Sequence, residues 1–138
     1  MDPIAWLVPS SLCSQADLAE YLMDVYSYNR CSTCRKALTW LADQGIAFQL
    51  HDIISEPPSR LQLSAALKFF GDRKPLFNTS GQSYRSLGSA TIKAMSDEEA
   101  LDALAADGKL IKRPFLQRPD GTFLVGFKPE VWMKTLLS

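Results

Sequence analysis

Four residues, Cys31-Ser-Thr-Cys34, stand where one hydrophobic period gives way to another, and this junction constrains the chain more than any other feature. Upstream, Val25, Tyr26 and Tyr28 form a β-type stretch that breaks at Asn29-Arg30. Downstream, Cys34, Ala37, Leu38 and Leu41 recur at helical spacing, and Gly45 follows where a left-handed cap is wanted. Phe48 to Ile54 reads as a second strand, closed by Glu56-Pro57-Pro58. A strand, a helix and a strand in that order join two parallel strands by a right-handed crossover.

A Cys-x-x-Cys at the strand-to-helix junction of such a unit points to a thioredoxin-like α/β fold. The remaining segments extend it. Ser59 with Gln62, and Ser96 with Glu99, have the spacing of capping boxes, with Gly71 ending the first helix and Met95 placed to staple the second onto Ala100. Pro75 to Ala90 reads as loop-rich, with one short helix near Ser83 to Leu87. Phe115–Arg118 and Thr122–Val125 flank Pro119-Asp120-Gly121 as a hairpin, and a last helix runs from Pro129 to Leu136. Residues 1–22 differ in character and read as an appended segment before a domain at 23–138. That segment is either an extra helix covering a sheet edge or the product of an upstream start, with Met23 as the alternative first residue.

The position of Cys31 favours chemistry. A sulfur that opens a helix meets free backbone N–H groups and the positive end of the dipole, which stabilise a thiolate. Arg30, Arg35 and Lys36 add positive charge and are expected to depress the thiol pKa further. Cys34, one turn on, lies within reach of a disulfide and suggests a resolving partner. Two other readings stay open. Zinc would need Cys13 and His51 as further ligands without a second paired motif, so no metal is expected. A half-buried structural thiol pair is the other, since apolar helix faces hold cysteine as a small hydrophobe. His51, the single histidine, reads as a polar surface residue, and Trp6, Trp40 and Trp132 as packing residues.

Three cysteines are too few and too odd for a secreted disulfide framework, and no basic leader or membrane-length apolar run occurs, so a cytoplasmic location is expected. Fifteen Lys plus Arg balance fifteen Asp plus Glu, which argues against direct nucleic-acid or membrane binding while leaving room for a local anion site.

From Asp24 to about Leu137 the chain resembles the arsenate reductase (ArsC) family, including its Spx-like members. The resemblance is carried by Cys31-Ser-Thr-Cys-Arg-Lys-Ala37 with Trp40-Leu41, Asp52-Ile-Ile-Ser-Glu-Pro57, Tyr84-Arg-Ser-Leu-Gly88, Leu110-Ile-Lys-Arg-Pro-Phe115 and Val125-Gly-Phe-Lys-Pro129. It implies a thioredoxin-like core with a helical insertion, in which Cys31 attacks an oxyanion or a disulfide. By motif, Arg85 and Arg113 look like family arginines that hold the oxyanion or a glutathione carboxylate. Lys128 stands where another arginine is usual and supplies a point charge instead of a fork. Arg113-Pro114 looks like the dipeptide where such folds place a cis proline facing the cysteine, and Asn29 and Arg30 complete the active-site loop.

Two functions follow from the resemblance. The first is a thiol-disulfide oxidoreductase, with no bound cofactor and with Cys34, glutathione, glutaredoxin or thioredoxin closing the cycle. The second is an Spx-like regulator of RNA polymerase, switched by a Cys31–Cys34 disulfide.

Overall fold

The structure is a computed structural model and describes residues 22–137. Strand β1 (Met23–Ser27) leads into helix α1 (Ser32–Asp43) and parallel strand β2 (Phe48–Asp52). Helices α2 (Arg60–Phe70), α3 (Gln82–Leu87), α4 (Ser89–Ala94) and α5 (Asp97–Ala106) follow, then the hairpin β3 (Phe115–Gln117) and β4 (Phe123–Val125), and finally α6 (Pro129–Leu136). The sheet order is β2-β1-β3-β4, with β3 antiparallel to both β1 and β4. This is the thioredoxin-like layout expected from the sequence: a parallel β-α-β unit widened by an antiparallel hairpin. The expected appended segment at 1–22, with Trp6 and Cys13, lies outside the described residues except for Leu22.

Alternation along the strands explains the layering. Val25, Leu116 and Leu124 face one side of the sheet, where Ala37 and Leu41 of α1 and Trp132 of α6 cover them. Tyr26, Phe115 and Phe123, one residue out of phase, face the other side and meet Leu63 and Ala66 of α2 and Leu101 and Leu104 of α5. A one-residue register slip would expose both sets, so the pairing is strongly specified.

Both capping boxes form, at Ser59/Gln62 and Ser96/Glu99, and Gly71 ends α2 in the left-handed region at φ 71°. Two expectations are corrected. Strand β2 stops at Asp52 instead of Ile54, because the Asp52 carboxylate accepts from the Ile54 N–H at 2.8 Å and turns the chain. The short helix expected near Ser83 to Leu87 forms as α3, but the segment read as loop-rich around it also holds the start of α4, whose six residues are too few for hydrophobic periodicity to register.

Candidate active site

Strand β1 ends at the sheet's upper edge, and the chain turns through Tyr28, Asn29 and Arg30, closed by the Cys31 N–H donating to the Tyr28 carbonyl at 3.0 Å. Cys31 thereby becomes the N-cap of α1, with extended backbone (φ −97°, ψ 116°). Its Sγ accepts from the Cys34 N–H at 3.4 Å, so a helix-terminal amide with no intrahelical partner is spent on the sulfur. Cys34 is one turn below and almost fully buried, at 1% exposure. Both thiols are free.

Burial acts to raise the Cys31 thiol, but the hydrogen bonds from Cys34 and the Arg113 guanidinium outweigh it and hold the pKa below the ordinary thiol value. Cys34 goes the other way. Burial first, and then the neighbouring Cys31, push it up to about 12. The two thiols are thus shifted in opposite directions, Cys31 toward the thiolate and Cys34 toward the protonated form. One expectation changes here: Arg30, Arg35 and Lys36 do not set the Cys31 thiol, because all three project to the surface, and the cation that does so comes from the segment before β3, distant in sequence.

That cation is placed by the segment before β3. The Arg113–Pro114 peptide is cis, Pro114 is buried, and its carbonyl accepts from the Gly126 N–H at 3.0 Å. The Arg113 guanidinium carbon lies 5.0 Å from the centre of the Tyr28 ring, a cation–π distance. Its Nε is buried without a hydrogen-bond partner, among the described residues the one side-chain polar atom so left.

Cys31 opens into a cavity of about 370 Å³ lined by Thr33, Asn78, Ser80, Lys112, Arg113 and Lys128, with Val125 and Phe127 as an apolar wall. Its lining carries three cations and no acid. The structure therefore brings together Cys31, Arg113 and Lys128 of the residues singled out by sequence, with Cys34 and Pro114 beneath them. Arg85 is not in the lining. Its Nη1 donates to the Ser80 carbonyl at 2.8 Å and its Nη2 to Gln82, so it braces the loop that forms one wall. Asn29 and Arg30 are exposed in the turn before Cys31.

Sequence reading missed Lys112, Asn78 and Ser80. Lys112 adjoins Arg113 and could have been found, but Asn78 reaches the site only because residues 76–78 pair with 110–112. The Asn78 N–H donates to the Leu110 carbonyl and the Lys112 N–H to the Leu76 carbonyl, both at 2.8 Å. Nothing local announces that pairing. His51 is also placed differently from the surface position expected. It is half-buried, stacks on Tyr26 at 4.6 Å, and its Nε2 lies 2.8 Å from Asp24 Oδ1. Trp40 and Trp132 pack edge to face, as expected of packing residues. Among the described residues no group of three His, Cys, Asp or Glu side chains is placed to share a metal ion, and no helix is long and apolar enough to cross a membrane.

Comparison with known proteins agrees with this geometry. The protein YusI of Bacillus subtilis, described as uncharacterized, is 43% identical over 107 residues, covering 76% of this chain and 90% of that protein. The regulatory protein MgsR of Bacillus subtilis is 28% identical over 116 residues, covering 83% and 90%. A solved structure from Streptococcus mutans, described as "a possible arsenate reductase", superposes with a TM-score of 0.73 at 39% identity, over 78% of this chain and 92% of that one. The model of the ArsC family matches residues 26–135, the whole span from β1 into α6. With that match over most of its length, the chain belongs to the ArsC family.

Proposed function

We propose that this protein is a thiol oxidoreductase in which Cys31 attacks as a thiolate. A single observation carries the reading: the Cys31 sulfur, at the start of α1, is stabilised by a helix amide and by Arg113 and faces an acid-free cationic cavity. Such a site draws an anionic electrophile toward a sulfur whose thiolate form is favoured. With an arsenate-type oxyanion, Cys31 Sγ bonds to the central atom while one oxygen leaves as water after taking up protons. A second thiol then bonds to Sγ, and the reduced oxyanion departs with the electron pair of the S–As bond. With a disulfide, Cys31 forms a mixed disulfide and expels one thiolate.

Cys34 or glutathione supplies the second thiol. While Cys31 is ionised its charge helps keep Cys34 protonated, and once Cys31 is bonded that repulsion disappears. Resolution is thus held back until the first bond has formed. Arg113, in the lining of the cavity, binds the oxyanion through its guanidinium group, and Lys128 adds a second positive charge. Glutaredoxin or thioredoxin would return the site to the dithiol, and no bound cofactor is required.

The test is NADPH-coupled reduction of arsenate with glutathione, glutathione reductase and glutaredoxin, run beside Cys31→Ser. Cys31-dependent turnover is expected, and activity retained in Cys31→Ser overturns the reading.

A second reading is favoured by the likeness to the regulatory protein MgsR and by a buried thiol one turn below the reactive one. Here the Cys31–Cys34 disulfide is a switch and the product is a protein contact, with RNA polymerase as the partner. Co-purification with polymerase in one redox state only is its expected result, and no association in either state removes it.

A further inference from the structure

Lys112 is held in the cavity by a feature of the backbone opposite it. Gly126, just after β4, has φ +66°, and a Cβ placed there would lie 2.9 Å from Lys112 Cε and 3.9 Å from Nζ. The lysine stem therefore lies flat across the glycine, with its ammonium group along the cavity wall. Its main chain is fixed on the other side by the hydrogen bond to Leu76. Lys128 reaches the same cavity from the residue before α6. Neither lysine, nor Arg113, has a carboxylate within 4.0 Å among the described residues.

The cavity does not have the form a bare tetrahedral oxyanion asks for. Tight binding of that ligand uses several guanidinium forks close together, and here one fork, Arg113, stands by the sulfur. The opposite wall offers Asn78 and Ser80. Asn78 is already engaged, accepting from Ser80 Oγ at 3.1 Å and donating to the Lys109 carbonyl at 3.4 Å. The volume of about 370 Å³ lies in the range of small-molecule sites, and Val125 and Phe127 give it an apolar side that a fully charged anion cannot use.

We propose that Lys112, laid across Gly126, and Lys128 form a carboxylate-binding subsite beside Cys31, and that the preferred substrate is a small disulfide bearing carboxylates. The ammonium groups act as point charges on flexible stems, which suits carboxylates at variable distance from the reacting sulfur. The methylene and sulfur body of such a ligand lies against Val125 and Phe127. This inference rests on Cys31 as the nucleophile. In the reaction the Cys31 thiolate bonds to one sulfur of the disulfide and the other leaves as thiolate. Cys34 then attacks Cys31 Sγ, gives up its proton, and releases the second thiolate. The substrate gains two electrons and the protein becomes the Cys31–Cys34 disulfide.

The experiment uses two disulfides of similar length, 3,3′-dithiodipropionate with two carboxylates and bis(2-hydroxyethyl) disulfide with none. Reduced protein is mixed with each, and adduct formation at Cys31 is followed by mass spectrometry and thiol release. The wild type is expected to favour the dianion. Lys112→Gln and Lys128→Gln should each lower that preference about fivefold, the size of one partly exposed charge contact. Raising the salt concentration should erode it in the wild type.

A binding arm needs no turnover. Suberate, a dicarboxylate of matching length without sulfur, should protect Cys31 from iodoacetamide at lower concentration than inorganic arsenate, and Lys112→Gln should weaken that protection. An unchanged preference in both lysine variants, or stronger protection by arsenate, overturns the subsite while leaving Cys31 as nucleophile. Failure of Cys31 to form an adduct with either disulfide overturns the thiol-oxidoreductase reading and the subsite together.

Discussion

The Arg113 guanidinium is stacked over the ring of Tyr28, 5.0 Å from its centre, and this contact joins the two segments that flank Cys31. Tyr28 belongs to the turn that delivers Cys31, whereas Arg113 belongs to the cis peptide before β3. The stack fixes the charge that stabilises the Cys31 thiolate. Replacing Arg113 with Gln should move the Cys31 titration upward and slow its alkylation by iodoacetamide at neutral pH. Tyr28→Leu should do the same more weakly, because the cation stays but loses a contact of about 0.5–1 kcal/mol. Alkylation rate against pH checks both, and a wild-type profile in Arg113→Gln would show that the helix amide alone is sufficient.

Cys34 makes an alkaline prediction. In the folded chain its thiol is pushed up to about 12, whereas an unfolded thiol titrates near 8.5. The folded state therefore keeps a proton that the unfolded state gives up, and the stability this provides is present below the unfolded pKa and lost as pH rises toward the folded one. Between pH 9 and 10 the wild type should lose on the order of 1 kcal/mol more than Cys34→Ala. Urea unfolding at both pH values measures the difference. Cys31 has the opposite shift and its contribution is already complete above pH 9, so the comparison isolates Cys34.

The β-α-β unit, the capping boxes, the hairpin and the last helix were legible because each is written in local chemistry: a change of period, a Ser with Gln or Glu three residues on, a Pro-Asp-Gly turn. Cys31 was legible for the same reason, since its place at a strand-to-helix junction is a local fact. What lowers its pKa was not. The cation named from its own neighbourhood was any of Arg30, Arg35 and Lys36, yet the one that acts is Arg113, brought across by the pairing of β1 with β3. Asn78 was lost in the same way, because the bridge between Phe77 and Ile111 that sets it beside the cavity joins segments more than thirty residues apart, whereas Lys112 adjoins Arg113 in the chain. Local signals fix elements, and the sheet decides which of their side chains share a cavity.

Arg85 separates motif from geometry. By motif it is an oxyanion ligand, but its guanidinium is bonded to the Ser80 carbonyl and Gln82 in an exposed position outside the cavity. Arg85→Ala should therefore change Cys31-dependent kcat/KM by no more than about twofold, as an exposed substitution does. Arg113→Ala should lower it by tenfold or more, roughly the worth of one charge-assisted contact on the reacting group. Parallel assays of the two variants decide the matter, and an equal loss in both would return Arg85 to the binding site.

Gly108 offers a test of how the helical insertion is closed onto the sheet. It begins the short 3₁₀ turn Gly108–Leu110, and a Cβ there would stand 1.9 Å from the Ile53 carbonyl oxygen and 2.8 Å from its carbon. These are main-chain atoms at the end of β2, and Ile53 is itself pinned by its N–H donating to the Ser27 carbonyl at 2.9 Å. A methyl group cannot be accommodated by turning a side chain, so the turn must retreat from the strand. Retreat would pull on Leu110 and Ile111, which are buried, and through the Asn78 and Lys112 hydrogen bonds on the wall of the cavity. Gly108→Ala should lose about 2 kcal/mol or more of stability, at the upper end of overpacking effects. It should also weaken the discrimination between charged and neutral disulfides, because Lys112 is displaced with the segment that follows the turn. Ser59→Ala gives the contrast: it removes a cap far from that wall, should lose about 1 kcal/mol, and should leave the discrimination intact. Urea unfolding with the paired disulfide assay reads both, and a Gly108→Ala protein as stable as the wild type would show that the close approach to Ile53 is not what seats the turn.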